Sequence, residues 1–345
     1  MSKIAILLSR LIKEGTAPKR FYDISGVENV ISNAKHVSLG SEDKFREVAK
    51  ELSAELALPD PPELSSQFVN PPEQLTNDEK FNWYLLMDAI NFHFYYPDGG
   101  RYKVSDGTNC YSGSMAGAAA INLWIKENPN ILTPGTFSQV KKHDVSKYFR
   151  DVNGCEIPMI DERVDSINST FSALKDYAGS FYSVVEQCEW DSAKLLCFIL
   201  ENFPSFLDVD VYKLDDGTEE EVAFCKRAQL LIADTFRNLG HLSGKVLNDD
   251  FLSAFADYRI PQVLRYFGLI IFDDYLDQEI RKGFIEDKQL EIEIRAATLA
   301  ACHRLSLICG KSSADIDYAL WKKRRIFGQS LDSDFPYHKS LTIFY

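Results

Sequence analysis

Beyond residue 160 the chain repeats one pattern, apolar side chains at helical spacing in blocks long enough to form helices. The blocks are Val164–Ala173, Ser180–Glu201, Phe224–Leu239, a run beginning Pro261–Tyr266, Leu290–Ile308 and Asp315–Arg325. That periodicity predicts a mainly α fold. The earlier part conforms with one exception. Val27–Leu56 reads as two helices broken at Ser38-Leu39-Gly40-Ser41, with Ser41 capping the second and Lys44, Phe45, Val48, Ala49 and Leu52 following at helical spacing. Asn77 is expected to cap an apolar helix, Phe81–Ile90, and an Ala-rich helix, Met115–Lys126, opens at Ser112-Gly113-Ser114. The exception lies near residues 100–112, where Tyr102-Lys103-Val104 and Cys110-Tyr111 flank Asp106-Gly107 and predict two short strands. Five prolines within 58–72 predict an extended connection, and Asp208–Glu221 reads as an acidic surface turn between helices. Without a repeat or a long linker, residues 1–345 are expected to form one domain.

Composition narrows the function classes. With 345 residues and 45% hydrophobic content, the chain can bury a substantial core. Its 38 Lys and Arg against 51 Asp and Glu give a net charge of -13. Polymer binding to nucleic acid needs a basic face, so no nucleic-acid polymer is expected as a partner; a small anion remains compatible. Seven scattered cysteines without a C-x-x-C pair read as reduced thiols, and six isolated histidines give no metal motif. No metal or cofactor is expected. Ile4–Leu8 is too short for a secretory core and is followed by Arg10 and Lys13, and no stretch approaches the ~20 apolar residues of a membrane span. A soluble, cytoplasmic protein without membrane partners is the expectation.

Three stretches could carry chemistry. Pro261 suits the first turn of a helix, placing Asp257 at or just before its N-terminus. There the carboxylate can simply cap the helix, or it can face a developing cation such as an oxocarbenium ion. Lys226 opens a predicted helix two turns ahead of Asp234; it is either a solvated cation or the partner of a phosphate or carboxylate. Asn91-Phe92-His93-Phe94-Tyr95-Tyr96 gathers aromatic rings that are either core or a stacking surface for a base. Asp317, Trp321 and the cations from Lys322 to Arg325 form a polar-aromatic helix end, which complements the dipole if it does nothing else.

The ordered set of motifs resembles the queuosine salvage protein family, the queuosine 5′-phosphate N-glycosylase/hydrolases. It comprises Asn91-Phe92-x-Phe94, Tyr111-Ser112-Gly113 with Ala119-Ala120-x-Asn122, Lys226-Arg227-Ala228-Gln229 and Ala233-Asp234-Thr235. It continues with Phe255-Ala256-Asp257-Tyr258-Arg259-Ile260-Pro261-Gln262-Val263-Leu264, Glu291–Arg295 and His338-x-x-x-x-Ile343-Phe344-Tyr345. The resemblance implies a core similar to the helical base-excision DNA glycosylases, with Asp257 at the position of their catalytic Asp. It implies hydrolysis of the N-glycosidic bond of queuosine 5′-monophosphate to queuine and ribose 5-phosphate. Asp257 would face the anomeric carbon and Lys226 would position it or a substrate oxygen. Asn91, Phe92 and Phe94 would meet the base, and Tyr258 would contact the substrate. Asp317 would hydrogen-bond the base or its cyclopentenediol, with Trp321 walling the site. Arg259 and His338 are the candidates for the 5′-phosphate.

The chain departs from the family pattern at three places: Ser114-Met115 replaces Tyr-Trp, Lys322 replaces Asp, and Leu341 replaces Arg. The altered pair prompts the competing reading of a non-catalytic helical ligand-binding or scaffold protein. A DNA glycosylase proper is disfavoured by the charge and by the lack of a basic stripe.

Overall fold

The computed structural model describes residues 2–58, 60, 67–133, 140–245, 247 and 249–345. Residues 59 and 61–66 of the predicted 58–72 connection lie outside them. The chain divides into two compact units, the first being Met1–Pro61, Asp208–Gln229 and Asn248–Leu341, the second Pro62–Leu207, Leu230–Leu247 and Thr342–Tyr345.

In the first unit the helix Lys288–Cys309 runs through the core. Leu290 to Cys302 are all buried, so this stretch has no solvated face, as expected of one enclosed by neighbours; the helix reaches solvent towards its end, at Leu307 and Ile308. Around it pack the helices Val27–Asn33, Glu42–Leu56, Ile260–Tyr266 and Ser313–Phe327. Ser41 caps Glu42–Leu56 as predicted, accepting from the Lys44 N–H at 3.3 Å. The break before it is a strand, Val37–Leu39, antiparallel to Ile270–Phe272. Gly40 is required there because an added methyl would collide with the Gly268 carbonyl.

Two expectations for this unit need correction. The acidic stretch 208–221 is not a turn between helices. Val209–Lys213 and Glu219–Ala223 form a β-hairpin, with Tyr212, Val222 and Ala223 buried. Its Asp215-Asp216-Gly217 is the hairpin turn, with Gly217 at φ 83°. The helix after Pro261 stops at Tyr266 and gives way to the strand Ile270–Phe272.

In the second unit the helix Asn77–Ala89 takes the central place, with every residue from Phe81 to Ala89 buried. Its cap is Thr76 rather than Asn77: Thr76 and Glu79 form a reciprocal capping box. The strands Lys103–Ser105 and Cys110–Ser112 pair as predicted and lead into the helix Ser114–Glu127. The predicted helix Ser180–Glu201 is two, Phe181–Gln187 and Ser192–Asn202. Glu189 and Trp190 adopt left-handed φ of 58° and 60°, and Asp191 restarts the helix by accepting from the Lys194 N–H at 2.8 Å. Among the described residues no helix is long and apolar enough to cross a membrane. All seven cysteines are unbridged.

Candidate active site around Asp257

Asp257 precedes the helix Ile260–Tyr266, whose first turn contains Pro261. The residue at the N-cap position, Arg259, makes no side-chain cap bond; Asp257 does the capping from two residues further back. Its Oδ1 accepts the N–H groups of Arg259 (2.7 Å) and Ile260 (2.9 Å). Both bonds fall on one oxygen, and no described residue donates to Oδ2 of this half-buried carboxylate. One oxygen fixes direction and the other is left to face a ligand, a division suited to stabilising a developing cation.

The extended segment leading to Asp257 is pinned at several residues. Ser253 N–H donates to Gln229 Oε1 at 2.7 Å, Phe255 N–H to Asp317 Oδ1 at 2.9 Å, and Arg295 Nε to the Ala256 carbonyl at 3.1 Å. Gln229 Nε2 also donates to the Phe224 carbonyl at 2.8 Å, which fastens the start of the helix Lys226–Leu239 to this segment. Asp317 therefore supports the backbone that carries Asp257. Beneath them lies Cys302, whose thiol is held well above its usual range by burial first, then by the carboxylates of Asp317 and Asp257. It is a neutral S–H at any physiological pH.

Lys226 is buried, at 6% exposure, not a solvated cation. A lysine is rarely enclosed without a charged or polar neighbour, so this placement favours the second of its two readings. Its own N–H donates to Asp208 Oδ2 at 3.1 Å, and the preceding Cys225 sits at a left-handed φ of 49°.

The remaining first-unit candidates fall into two groups. Arg259 is held in place: its guanidinium stacks over Tyr337 (4.0 Å) and Tyr258 (4.9 Å), donates to Gln262 at 3.0 Å and pairs with Asp332 at 3.3 Å. Trp321 is half-buried, stacked on Tyr318 at 6.0 Å with Arg325 over its ring. His338 is wholly enclosed at 1% exposure. Burial pushes its imidazole down to about 4, with Arg295, Lys288 and Arg265 adding to the shift and Glu291 opposing it. It is neutral at pH 7 and so could hold a phosphate by hydrogen bonding but not by charge.

That burial makes a stability prediction. Between about pH 6.5 and about pH 4 the unfolded chain takes up a proton at this position and the folded chain does not. Stability is therefore expected to fall as pH drops through this window. His338→Gln should flatten the fall, as read by urea midpoints at pH 7, 5.5 and 4.5.

The second unit holds Asn91, Phe92 and Phe94. Asn91 Nδ2 donates to Asp88 Oδ1 at 3.0 Å. Phe92 has no exposed surface and lies under the Arg163 guanidinium at 4.2 Å; Phe94 packs beside Tyr102 and Gly117. Arg163 is itself fully buried and donates to the carbonyls of Ile90, Phe92 (2.5 Å), His93 (3.0 Å) and Pro158 (3.0 Å). His93, at φ 46°, donates its N–H to the Tyr345 carbonyl at 2.9 Å, a structural role. The run is thus a clamped piece of core.

Residues 71–345 match the sequence profile of the family described as queuosine salvage protein. The chain belongs to the queuosine salvage protein family. A Bos taurus relative named queuosine 5′-phosphate N-glycosylase/hydrolase is 31% identical over 291 residues, covering 78% of this chain and 83% of its own length. A relative of that name from Sphaerobacter thermophilus is 31% identical over 277 residues, covering 76% and 81%. One from Schizosaccharomyces pombe is 27% identical over 258 residues, covering 70% and 73%.

At the places where this member of the queuosine salvage family departs from the usual pattern, the structure shows what the substitutes do. Met115 is half-buried and its sulfur accepts from the Val69 N–H at 3.4 Å. Lys322 is enclosed and paired with Asp60 at 3.0 Å, while Leu341 is 73% exposed. Two residues that hold the site were not picked out by sequence reasoning as site residues. Arg295 closes the Glu291–Arg295 motif, and Asp208 begins the stretch whose sequence predicts a surface turn. The available signal is an arginine set among the apolar positions Ile292, Ile294, Ala296 and Ala297 of a helix that also carries Glu291 and Glu293.

Proposed function

We propose that this chain is a nucleotide N-glycosidase that hydrolyses queuosine 5′-monophosphate to queuine and ribose 5-phosphate, supplying queuine for tRNA modification. The observation that carries the proposal is the Asp257 carboxylate, fixed through one oxygen and open at the other, in a chain of this family. As the bond from the anomeric carbon to the ring nitrogen breaks, its electron pair leaves with the base and positive charge grows on the ribose. The open oxygen of Asp257 stabilises that charge, and water completes the substitution at the same carbon, giving up one proton while the departing base gains one, so that hydroxyl ends on the ribose and hydrogen on the base. The departing base is a 7-deazapurine, so protonation at ring position seven is unavailable and charge on the base is relieved elsewhere on the ring. Lys226 supplies positive charge to Asp257 or a ribose oxygen, and Trp321 and Tyr258 wall the sugar. The substrate is a nucleotide already freed from RNA, which suits a chain of net charge -13 without a polymer partner.

Arg259 is proposed to meet the 5′-phosphate. The unphosphorylated nucleoside should then react more slowly than the nucleotide, and Arg259→Gln should abolish that preference. Equal rates for both substrates with the wild-type protein would contradict a phosphate site. The overall reading is tested by product formation from queuosine 5′-monophosphate: queuine and ribose 5-phosphate should appear together, and their absence would overturn it.

A further inference from the structure

We propose that Asp208 and Arg295 are a positioning pair, holding the segment that carries Asp257 and the Lys226 helix in one register. Its kinetic test rests on the N-glycosidase reading above. The two side chains are 1% and 0% exposed, a placement with a heavy desolvation cost. For stability alone, packed apolar residues commonly serve as well or better. The bonds show what the ion pair does that apolar residues could not. The two terminal nitrogens of Arg295 meet the two oxygens of Asp208 at 2.8 and 2.6 Å, and its Nε donates to the carbonyl of Ala256, the residue before Asp257. The Phe224 ring lies 4.1 Å from the guanidinium. Asp208 Oδ2 also receives the Lys226 N–H, while its carbonyl accepts the N–H groups of Phe224 (3.0 Å) and Cys225 (3.1 Å).

One guanidinium–carboxylate fork therefore joins the peptide entering Asp257 to the residue opening the Lys226 helix. Both side chains are enclosed, so they act through Asp257 and Lys226 rather than on substrate. The geometry requires arginine. A lysine could satisfy Asp208 but lacks the planar third donor that reaches Ala256.

The test uses Arg295→Lys and Asp208→Asn in the full chain, with queuosine 5′-monophosphate as substrate. A small displacement of a catalytic group can cost two orders of magnitude, so kcat is expected to fall about 10- to 100-fold with KM changed less than about threefold. In an Asp257→Asn background, under single-turnover conditions, Arg295→Lys should cost less than about threefold more, because the group it positions is already disabled. Fully additive losses, or a raised KM with kcat intact, would overturn the proposal.

A second readout needs no substrate. Amide exchange at Arg259 and Ile260, which donate to Asp257, should speed up in both variants, while Ala5 and Lys44, capped by Ser2 and Ser41, stay as in wild type. Exchange that is unchanged, or faster at all four amides alike, would remove the positioning pair. Wild-type protein that releases no queuine would instead remove the function reading, leaving the exchange result to stand for itself.

Discussion

Asp257→Asn is expected to lower queuine release by about 10³-fold or more, on the scale of losing a catalytic acid–base or oxyanion-stabilising group. The substitution separates charge from structure. An Asn side chain keeps an oxygen where Oδ1 now accepts the Arg259 and Ile260 N–H groups, so the cap and the segment before it remain. The thermal midpoint should move by no more than about 2 °C, since Asn caps helices about as well as Asp. Asp257→Ala, which also removes the cap, should add a stability loss of roughly 1 kcal/mol. Activity of Asp257→Asn within tenfold of wild type would dismiss Asp257 as the charge that stabilises the reacting sugar.

The largest stability effect is expected at Arg163. Arg163→Met preserves the length of the apolar stem but removes the donor shared by the carbonyls of Ile90, Phe92, His93 and Pro158, of which Ile90 keeps the Phe92 N–H at 2.9 Å. Hydrogen bonds from a charged donor contribute about 1.5–3 kcal/mol each, partly offset by relief of the guanidinium's burial, so a net loss of roughly 4 kcal/mol is expected. The guanidinium also covers the Phe92 ring, and its removal opens a gap in the packing. Urea unfolding with the midpoint and slope both fitted checks this. A loss under about 1 kcal/mol would mean that the carbonyls find other partners.

What was legible in the sequence was local. Ser41 caps its helix, the 100–112 strands pair across Asp106-Gly107, and Asp257 stands before a Pro-led helix, because each depends on residues within a few positions. The same locality explains the near misses. Thr76 and Asn77 are adjacent capable caps, and only the reciprocal bond with Glu79 decides between them. The hairpin over Val209–Ala223 was hidden by its acidic residues, since a short strand with one buried edge has little apolar alternation to show.

The supports of the site were not legible for a different reason. Arg295 meets Ala256 across 39 positions and Asp208 across 87, and Arg163 meets Phe92 across 71. No spacing rule reaches that far. A buried arginine in a helix looks like a surface arginine until the chain has folded around it. Lys226 is the same case: lysine is usually solvated, and only the structure shows this one enclosed. His338 is a phosphate candidate by resemblance, and only the structure shows that burial makes its ring neutral.

The most direct measurement incubates the purified full chain with queuosine 5′-monophosphate and quantifies the products by chromatography. An N-glycosidase centred on Asp257 yields queuine and ribose 5-phosphate in equal amounts over repeated turnovers, and Asp257→Asn loses both. Intact nucleotide after prolonged incubation across pH 5.5–8.5, with the protein shown to be folded, would contradict it and leave the non-catalytic helical binding protein as the better reading.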